Sequence, residues 1–204
     1  METIAVIDFE TTGMAPEAGA RATEIGVVLI RDGVVVDRYA SLMNTGAWVS
    51  PFIEELTGIS NEMLEDAPPS ERVMREVADF VGDAPMAAHN AAFDRKFWDA
   101  ELARVDRQRV GEFACTLLLS RRLYPEAPSH KLGNLGRWAG LPTTGRAHRA
   151  LADAELAARL LLRMEADLLA RYPLDAVTHP LLREIQQTSR RRIEELVEGY
   201  AARG

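Results

Sequence analysis

The sequence is poor in cysteine and in long apolar runs. Its single cysteine, Cys115, excludes an intramolecular disulfide. The Leu-rich stretch after Leu151 is interrupted by charged side chains such as Asp153 and Arg159, so its uninterrupted apolar runs are too short to cross a bilayer. Met1 is not followed by the basic region, apolar stretch and cleavage site of a secretory signal. We therefore expect a protein of the reducing cytoplasm with no membrane partner.

Aromatic residues are also few, at 6%, but 47% of the 204 residues are hydrophobic and 27% are charged. This is close to average globular composition and excludes extended disorder or a fibrous repeat. Residues 1–100 carry 7 basic and 18 acidic side chains, whereas residues 101–204 carry 17 and 13. The net charge of -7 argues against a broad nucleic-acid-binding surface. The uneven distribution fits either a cation site beside a phosphate-tolerant surface or ordinary solvated helix faces.

Short apolar and β-branched runs predict strands, and helical periodicity predicts helices between and after them. The predicted strands cover residues 3–9, 22–30, 34–42, 85–89 and 113–116. Asp32-Gly33 between the second and third runs indicates a β-hairpin. A hairpin followed by alternating strands and helices is typical of an α/β fold with a mixed sheet flanked by helices. Tyr172-Pro173 is expected to close this core.

Two acids lie two residues apart at the end of the first predicted strand. Side chains at this spacing on a strand point to the same face, so Asp8 and Glu10 converge. Adjacent carboxylates repel each other unless cations lie between them, which favours a metal site. The competing interpretation is a pair of acids where the strand meets solvent.

Two more acids follow elements that we expect to reach the same edge of the sheet. If the fourth strand lies beside the first, Asp94 arrives near Asp8 at the switch point of the sheet; otherwise it only complements a helix dipole. His148 and Asp153 cooperate most easily if the histidine lies in a loop and the acid on a helix, because five helical residues span about 140° of rotation. Alone, this pair is more typical of a surface histidine and an acid on a helix surface. Together with Glu10, the set predicts a convergent site.

Three segments carry a family resemblance. DFETTG at 8–13, HNAAFD at 89–94 and His148-x4-Asp153, with HKLGNL at 130–135 before the last, resemble the exonuclease motifs of the DnaQ-like family in its order. They are most similar to the histidine-containing (DEDDh) branch, which includes the proofreading subunit of bacterial DNA polymerase III. The resemblance covers about residues 3–170. It implies a ribonuclease-H-like five-stranded mixed sheet and an exonuclease domain at 1–172. Residues 173–204 lie beyond the resemblance and are expected to form a C-terminal helical extension.

The resemblance implies hydrolysis of nucleic acid, DNA rather than RNA, from the 3′ end to nucleoside 5′-monophosphates. Two divalent cations can hold the attacking and leaving oxygens, and oxygen ligands favour Mg²⁺, with Mn²⁺ as a substitute. By resemblance, Asp8 bridges both ions, Glu10 and Asp153 hold the ion that carries the nucleophilic water, and Asp94 supports the second. His148 is implied as the general base, a role that suits an imidazole at neutral pH.

Residues beside these motifs are candidate substrate contacts: Thr11, Thr12, Gly13, Asn90, Phe93, Arg146 and Arg149. Gly13 would let the backbone approach the terminal nucleotide closely. Phe93 either stacks on a base or belongs to the core. The two arginines either contact phosphates or are simply solvated. His89 is expected to be structural.

Two other functions stay open on the sequence alone. An exoribonuclease that trims RNA or short oligonucleotides would use the same catalytic residues. A non-catalytic module that docks to a polymerase or repair protein would be expected to have lost some of the acids, whereas all four are present. The expected partners are single-stranded or frayed 3′ ends and a polymerase or repair protein.

In the extension, apolar residues recur at helical spacing and predict an amphipathic helix. The stripe is interrupted at Thr188-Ser189 and followed by Arg190-Arg191-Arg192. The helix either packs on its own domain, docks a partner, or extends the nucleic-acid contact with its arginines.

Overall fold

The computed structural model describes residues 2–143 and 145–202. Its centre is a five-stranded mixed sheet in the order β3-β2-β1-β4-β5. The antiparallel pairs are β1–β2 and β2–β3, whereas β4 runs parallel to β1 and to β5. The predicted mixed sheet is confirmed, and its strands are β1 (Ile4–Thr11), β2 (Ala22–Arg31), β3 (Val34–Leu42), β4 (Met86–Ala88) and β5 (Phe113–Cys115).

Helices cover both faces of the sheet. They are α1 (Pro51–Thr57), α2 (Asn61–Glu65), α3 (Ser70–Val81), α4 (Ala91–Ala103), α5 (Thr116–Leu123), α6 (Leu132–Trp138), α7 (Ala150–Arg171), α8 (His179–Gln187) and α9 (Ile193–Ala201). Short 3₁₀ turns cover Pro16–Ala18 and Arg190–Arg192. Among the described residues, no helix combines the length and the apolar character needed to cross a membrane.

The hairpin between β2 and β3 forms where the sequence predicts it. Asp32 and Gly33 have φ values of 54° and 78°. Positive φ at both central residues is the backbone of a type I′ turn, which matches the twist of the strands on either side. The Asp-Gly pair therefore sets the register of β2 and β3 next to the turn, and a bulge between Leu29 and Ile30 then shifts it.

Strand β1 is buried on both faces, which explains its continuous apolar sequence. Ile4 and Val6 pack in the cluster that contains α7, whereas Ala5 and Ile7 pack in the cluster that contains α3 and α4. Because strand residues alternate between faces, positions 8 and 10 follow Ile4 and Val6 on the α7 side. The apolar run thus ends in two acids that face the helix of the third motif.

The extension is not one interrupted helix as the spacing predicts. It forms α8 and α9, because Thr188 adopts an extended backbone (ψ 144°) and a 3₁₀ turn follows. The interruption at Thr188-Ser189 is therefore a helix end. The apolar side chains of both helices are buried in the α7 cluster and include Leu181, Leu182, Ile185, Ile193 and Val197. The extension packs on its own domain, and a domain boundary at Tyr172 stays a prediction.

Helix α8 also reaches the outer edge of the sheet. The Gln186 side-chain oxygen accepts a hydrogen bond from the Cys115 N–H at 2.6 Å, and its amide nitrogen donates to the Phe113 carbonyl at 3.4 Å. The buried His179 ring lies 2.8 Å from the Met86 carbonyl oxygen. Backbone groups of β4 and β5 thus find partners in the extension.

Candidate active site

The carboxyl end of β1 brings acids from three chain segments together. Side-chain oxygens of Glu10 and Asp153 and a ring nitrogen of His148 all lie within 4.8 Å of one another. Asp8 precedes Glu10 on the same face of β1 and is close enough to Asp94 and Asp153 to interact with their charges. All five predicted catalytic residues therefore meet at one site.

Asp94 reaches this site through the parallel pairing of β4 with β1. After β4 ends, Asn90 adopts a left-handed backbone (φ 69°) that turns the chain into α4. Asp94 lies in the first turn of α4, is 2% exposed, and accepts a hydrogen bond from the Phe9 N–H at 3.1 Å. This bond ties the start of α4 to β1 between Asp8 and Glu10.

His148 lies in the loop before α7, and Asp153 lies in the first turn of that helix, as the rotation argument requires. His148 has a positive φ of 59°, a conformation that an L-residue adopts only under constraint. Its backbone N–H donates to the Asp153 carboxylate at 3.0 Å. The loop conformation is thus coupled to the helix start.

Sequence reasoning missed Glu24, which anchors this loop. Its carboxylate forms an ion pair with the Arg149 guanidinium at 2.7 Å and accepts a hydrogen bond from the Ala150 N–H at 2.9 Å. Glu24 also pairs with Glu10 across the β1–β2 ladder. It therefore fixes the two residues that follow His148 relative to the strand that carries Glu10.

Gly26 was missed as well. It pairs with Asp8 in the ladder, and a Cβ there would lie 2.4 Å from backbone atoms of Ala150 and Leu151. A glycine inside a strand often marks such a close approach of another backbone, and a lone acid in an apolar strand needs a partner. These two signals within residues 22–30 could have pointed to both positions.

Crowding and burial perturb the carboxyl groups. Burial, together with the nearby charges of Asp94 and Asp153, raises the pKa of Asp8 well above its usual range. Burial, then Asp153 and Glu24, raises the pKa of Glu10 to about 8. Burial raises the pKa of Asp94 to about 7, although the Phe9 N–H opposes the shift. Burial also raises the pKa of Asp153, against the hydrogen bond from His148.

This donor set fits a divalent cation. In the described part of the chain, the Asp8 and Glu10 carboxyls form no hydrogen bond or ion pair, although they are crowded by other acids. Deprotonating such a cluster is unfavourable unless positive charge is supplied. Carboxylate oxygens are the ligands of hard cations such as Mg²⁺, Mn²⁺ and Ca²⁺. The site can therefore hold a divalent metal ion, and the ligand atoms that lie close together are those of Glu10, His148 and Asp153. The assignment of Asp8, Glu10, Asp94 and Asp153 as the metal ligands stays a prediction.

The candidate substrate contacts occupy three places around the site. Thr11 donates from its hydroxyl to the Gly13 carbonyl at 2.7 Å, and the Thr12 hydroxyl accepts from the Arg21 N–H at 3.0 Å, so both order the loop after β1. Asn90 is exposed at the start of α4. Phe93 is half-buried and packs on Phe97 at 5.0 Å between ring centroids, which leaves part of its ring accessible. Their contact with a substrate stays a prediction.

The two arginines beside His148 already have protein partners. Arg149 pairs with Glu24, and Arg146 donates to the Glu55 carbonyl of α1 at 3.2 Å. A phosphate would therefore share these guanidinium groups with the protein, and such a contact stays a prediction.

His89 lies between elements and outside the acid cluster. Its Nδ1 lies 2.9 Å from the Thr116 hydroxyl, and its Nε2 lies 2.9 Å from the His130 carbonyl oxygen. Burial lowers the pKa of His89 to about 4, so the ring is neutral at physiological pH. This is the environment of a structural histidine.

Comparisons with known proteins give a consistent family. A family model described as Exonuclease (RNase_T) matches residues 5–161. The chain is 36% identical over 169 residues to a DNA polymerase III PolC-type of Bacillus subtilis, covering 81% of this chain. It is 33% identical over 192 residues to the 3′-5′ exonuclease DinG of the same species, covering 94%. It spans only 12% and 20% of those two proteins.

A solved structure of similar size shares the fold. Exonuclease X in complex with 5′ overhanging duplex DNA superposes with a TM-score of 0.72 at 26% identity. The match covers 90% of this chain and 99% of that one. The ribonuclease-H-like arrangement implied by the motifs is therefore confirmed over most of the chain.

Proposed function

The chain belongs to this exonuclease family, as its motifs indicated, and on that premise we propose that it is a metal-dependent 3′–5′ exonuclease that releases nucleoside 5′-monophosphates from DNA. The observation that carries the proposal is the approach of Glu10, His148 and Asp153 to within 4.8 Å beside Asp8. Neither a docking module nor a structural domain needs an imidazole within an acid cluster.

The proposed roles follow from the positions of the side chains. Asp8, Glu10, Asp94 and Asp153 hold the divalent cations. When bound, these cations supply positive charge that activates water and stabilises the leaving 3′ oxygen. His148 is exposed at the rim of the cluster and takes the proton of the attacking water. The Asp153 carboxylate, which accepts from the His148 N–H, keeps the base beside the metal ligands.

Oxygen-only ligands support Mg²⁺ as the physiological ion and Mn²⁺ as its substitute. DNA is supported as the substrate because the motifs resemble the proofreading branch and because the Exonuclease X structure contains DNA. The similarity to PolC-type polymerases supports association with a polymerase or repair protein at single-stranded or frayed 3′ ends. We place the enzyme in the cytoplasm, where the buried thiol of Cys115 stays reduced.

The test is digestion of 5′-labelled single-stranded DNA and RNA of identical sequence with Mg²⁺, followed on a gel. We expect a ladder that shortens from the 3′ end, faster on DNA, and abolished by chelator or by Asp8→Ala. Asp8→Ala should stay folded because removing one crowded acid relieves repulsion. Activity that survives chelator, or a ladder that starts at the 5′ end, contradicts the proposal.

A further inference from the structure

Four arginines converge at the end of α7 that is remote from the acids. Arg122 at the end of α5, Arg171 at the end of α7, and Arg190 and Arg191 in the 3₁₀ turn line one cavity of about 450 Å³. Asp153 and Arg171 are separated by about 27 Å along the helix, at 1.5 Å per residue. The cavity is therefore separate from the proposed catalytic site.

These arginines lack partners within the protein. In the described part of the chain, none of the four forms an ion pair or a side-chain hydrogen bond, although Arg171 lies 5.3 Å from the centroid of the Tyr172 ring. The Nε of Arg122 is buried with no acceptor. A buried guanidinium N–H without an acceptor is unfavourable, so the protein itself leaves the Arg122 guanidinium incompletely satisfied.

Three acids also line the cavity, and their negative charge partly offsets the attraction of the arginines for an anion. Asp167 is already engaged, because it accepts a hydrogen bond from the Tyr124 hydroxyl at 2.6 Å and pairs with Arg163 at 2.9 Å. Glu126 and Glu194 are exposed and make no ion pair with the four arginines. Positive charge thus exceeds the unpaired negative charge in the cavity.

We propose that this cavity binds a phosphate group. Guanidinium groups present several N–H donors in a planar fork that matches phosphate oxygens, and the size of the cavity lies within the usual range of small-ligand sites. The phosphate comes either from a free phosphate compound or from the backbone of a nucleic acid held away from its 3′ end. The 3₁₀ turn of the extension is then part of a binding site.

The direct test is calorimetric titration of the full-length, metal-free protein with pyrophosphate. The wild type should bind, and Arg122→Gln should weaken binding about tenfold or more, since a charge-assisted contact is lost. Arg121→Gln is the matched control: it removes an exposed, unpaired arginine next in sequence, and it should bind like wild type. Absence of binding by the wild type, or equal binding by both variants, overturns the proposal.

The double variant Arg190→Gln/Arg191→Gln tests the same site independently of the packing of α5, since both residues are exposed. It should also lose pyrophosphate affinity, and unchanged affinity overturns the proposal.

Hydrolysis assays then identify the source of the phosphate. If the variants weaken binding of a long single strand and leave dinucleotide turnover unchanged, the site binds nucleic-acid backbone. If both substrates behave as with wild type while pyrophosphate affinity is lost, the site binds a free phosphate compound.

Discussion

Gly26 on β2 lies so close to Ala150 on α7 that a Cβ at the glycine would be 2.4 Å from the Ala150 carbonyl carbon. Both sides of this contact are backbone, so no flexible side chain can move aside. The contact brings the first turn of α7, with Asp153, against the strand that pairs with β1. The close packing of the start of α7 on β2, and with it the position of Asp153, therefore requires glycine at position 26.

We predict that Gly26→Ala displaces the start of α7 and lowers turnover by about 10²-fold, because a misplacement of about 1 Å has that effect on positioned catalytic groups. It should also lower the free energy of unfolding by about 1–3 kcal/mol through overpacking. Gly199→Ala is the control, since nothing lies within 4 Å of a Cβ there. Thermal melts and turnover measured on both variants check this, and wild-type turnover in Gly26→Ala contradicts it.

Glu24→Gln removes the charge that holds Arg149. We expect turnover to fall about tenfold and the free energy of unfolding to fall by about 1–2 kcal/mol, a modest value because the Arg149 side chain is 39% exposed. Glu76→Gln breaks an ion pair on the surface with Arg72 and should leave turnover unchanged. If the two variants have equal turnover, Glu24 does not position the catalytic loop.

His148→Ala should lower turnover by about 10²–10⁴-fold, the usual contribution of a positioned general base. Because its ring also lies beside Glu10 and Asp153, the histidine could instead be a metal ligand. A Mn²⁺ titration separates the two roles. Affinity within about twofold of wild type supports the base, whereas a tenfold loss assigns the imidazole to the metal.

In the metal-free protein, stability should fall as the pH rises from about 6.5 to 8.5. The pKa of Glu10 is raised to about 8 and that of Asp94 to about 7, so here the folded state keeps protons that the unfolded chain has released. The free energy of unfolding then declines by about 1.4 kcal/mol per pH unit for each such proton. The pKa of His89 is lowered to about 4, so this residue makes stability rise with pH, but only below about pH 6.5.

The matched variant for this experiment is Glu10→Gln. Burial also raises the pKa of Glu165 to about 7, so the wild-type slope contains a contribution from outside the site. Urea unfolding with chelator should show a smaller decline for Glu10→Gln than for wild type. Added Mg²⁺ should stabilise the wild type more at pH 8.5 than at pH 6.5, because it binds deprotonated ligands. Parallel pH profiles for the two proteins contradict the shifted pKa of Glu10.

Deletion after Tyr172 should strongly lower the melting temperature. It removes Leu181, Leu182 and Ile185, which are fully buried, and each buried side chain of this kind contributes about 1.5–3 kcal/mol. None of residues 173–202, the part of the extension that the structure describes, belongs to the acid cluster, so turnover on a saturating dinucleotide should stay within a few-fold per folded molecule. Deletion after Gln187 keeps α8 and should be intermediate in stability. A folded truncation without turnover shows that the extension helps to build the site.

The parts of the fold that the sequence predicts are those with a local signal. Short apolar, β-branched runs marked β1 to β3, and Asp32-Gly33 marked the turn, because each signal depends on neighbours in the chain. The predicted convergence of Asp8 and Asp94 depended on one further assumption, that β4 pairs with β1. The order of the motifs, which resembles that of the family, supported this assumption.

The missed features depend on contacts between distant segments. Glu24 and Gly26 have meaning only once α7 lies over β2, and nothing near them in sequence specifies that helix. The pairing of Arg149 with Glu24 could not be anticipated either, because solvation and phosphate contact explain an arginine in that loop equally well. The break at Thr188 was visible as an interrupted stripe, but its conversion into a helix end depends on the packing of both halves against α7.

Gln186 has a consequence for the chain during its synthesis. The backbone of β5 is complete long before this glutamine, which follows Cys115 by 71 positions, and until then the N–H and C=O groups that it satisfies have no partner. An open strand edge can pair with a strand of another chain and lead to aggregation. A nascent or stalled chain that already contains every catalytic motif therefore still has unpaired backbone groups on β5, which can form hydrogen bonds with another chain. Completion of α8, and not of the exonuclease motifs, is the step that gives these β5 backbone groups their partner.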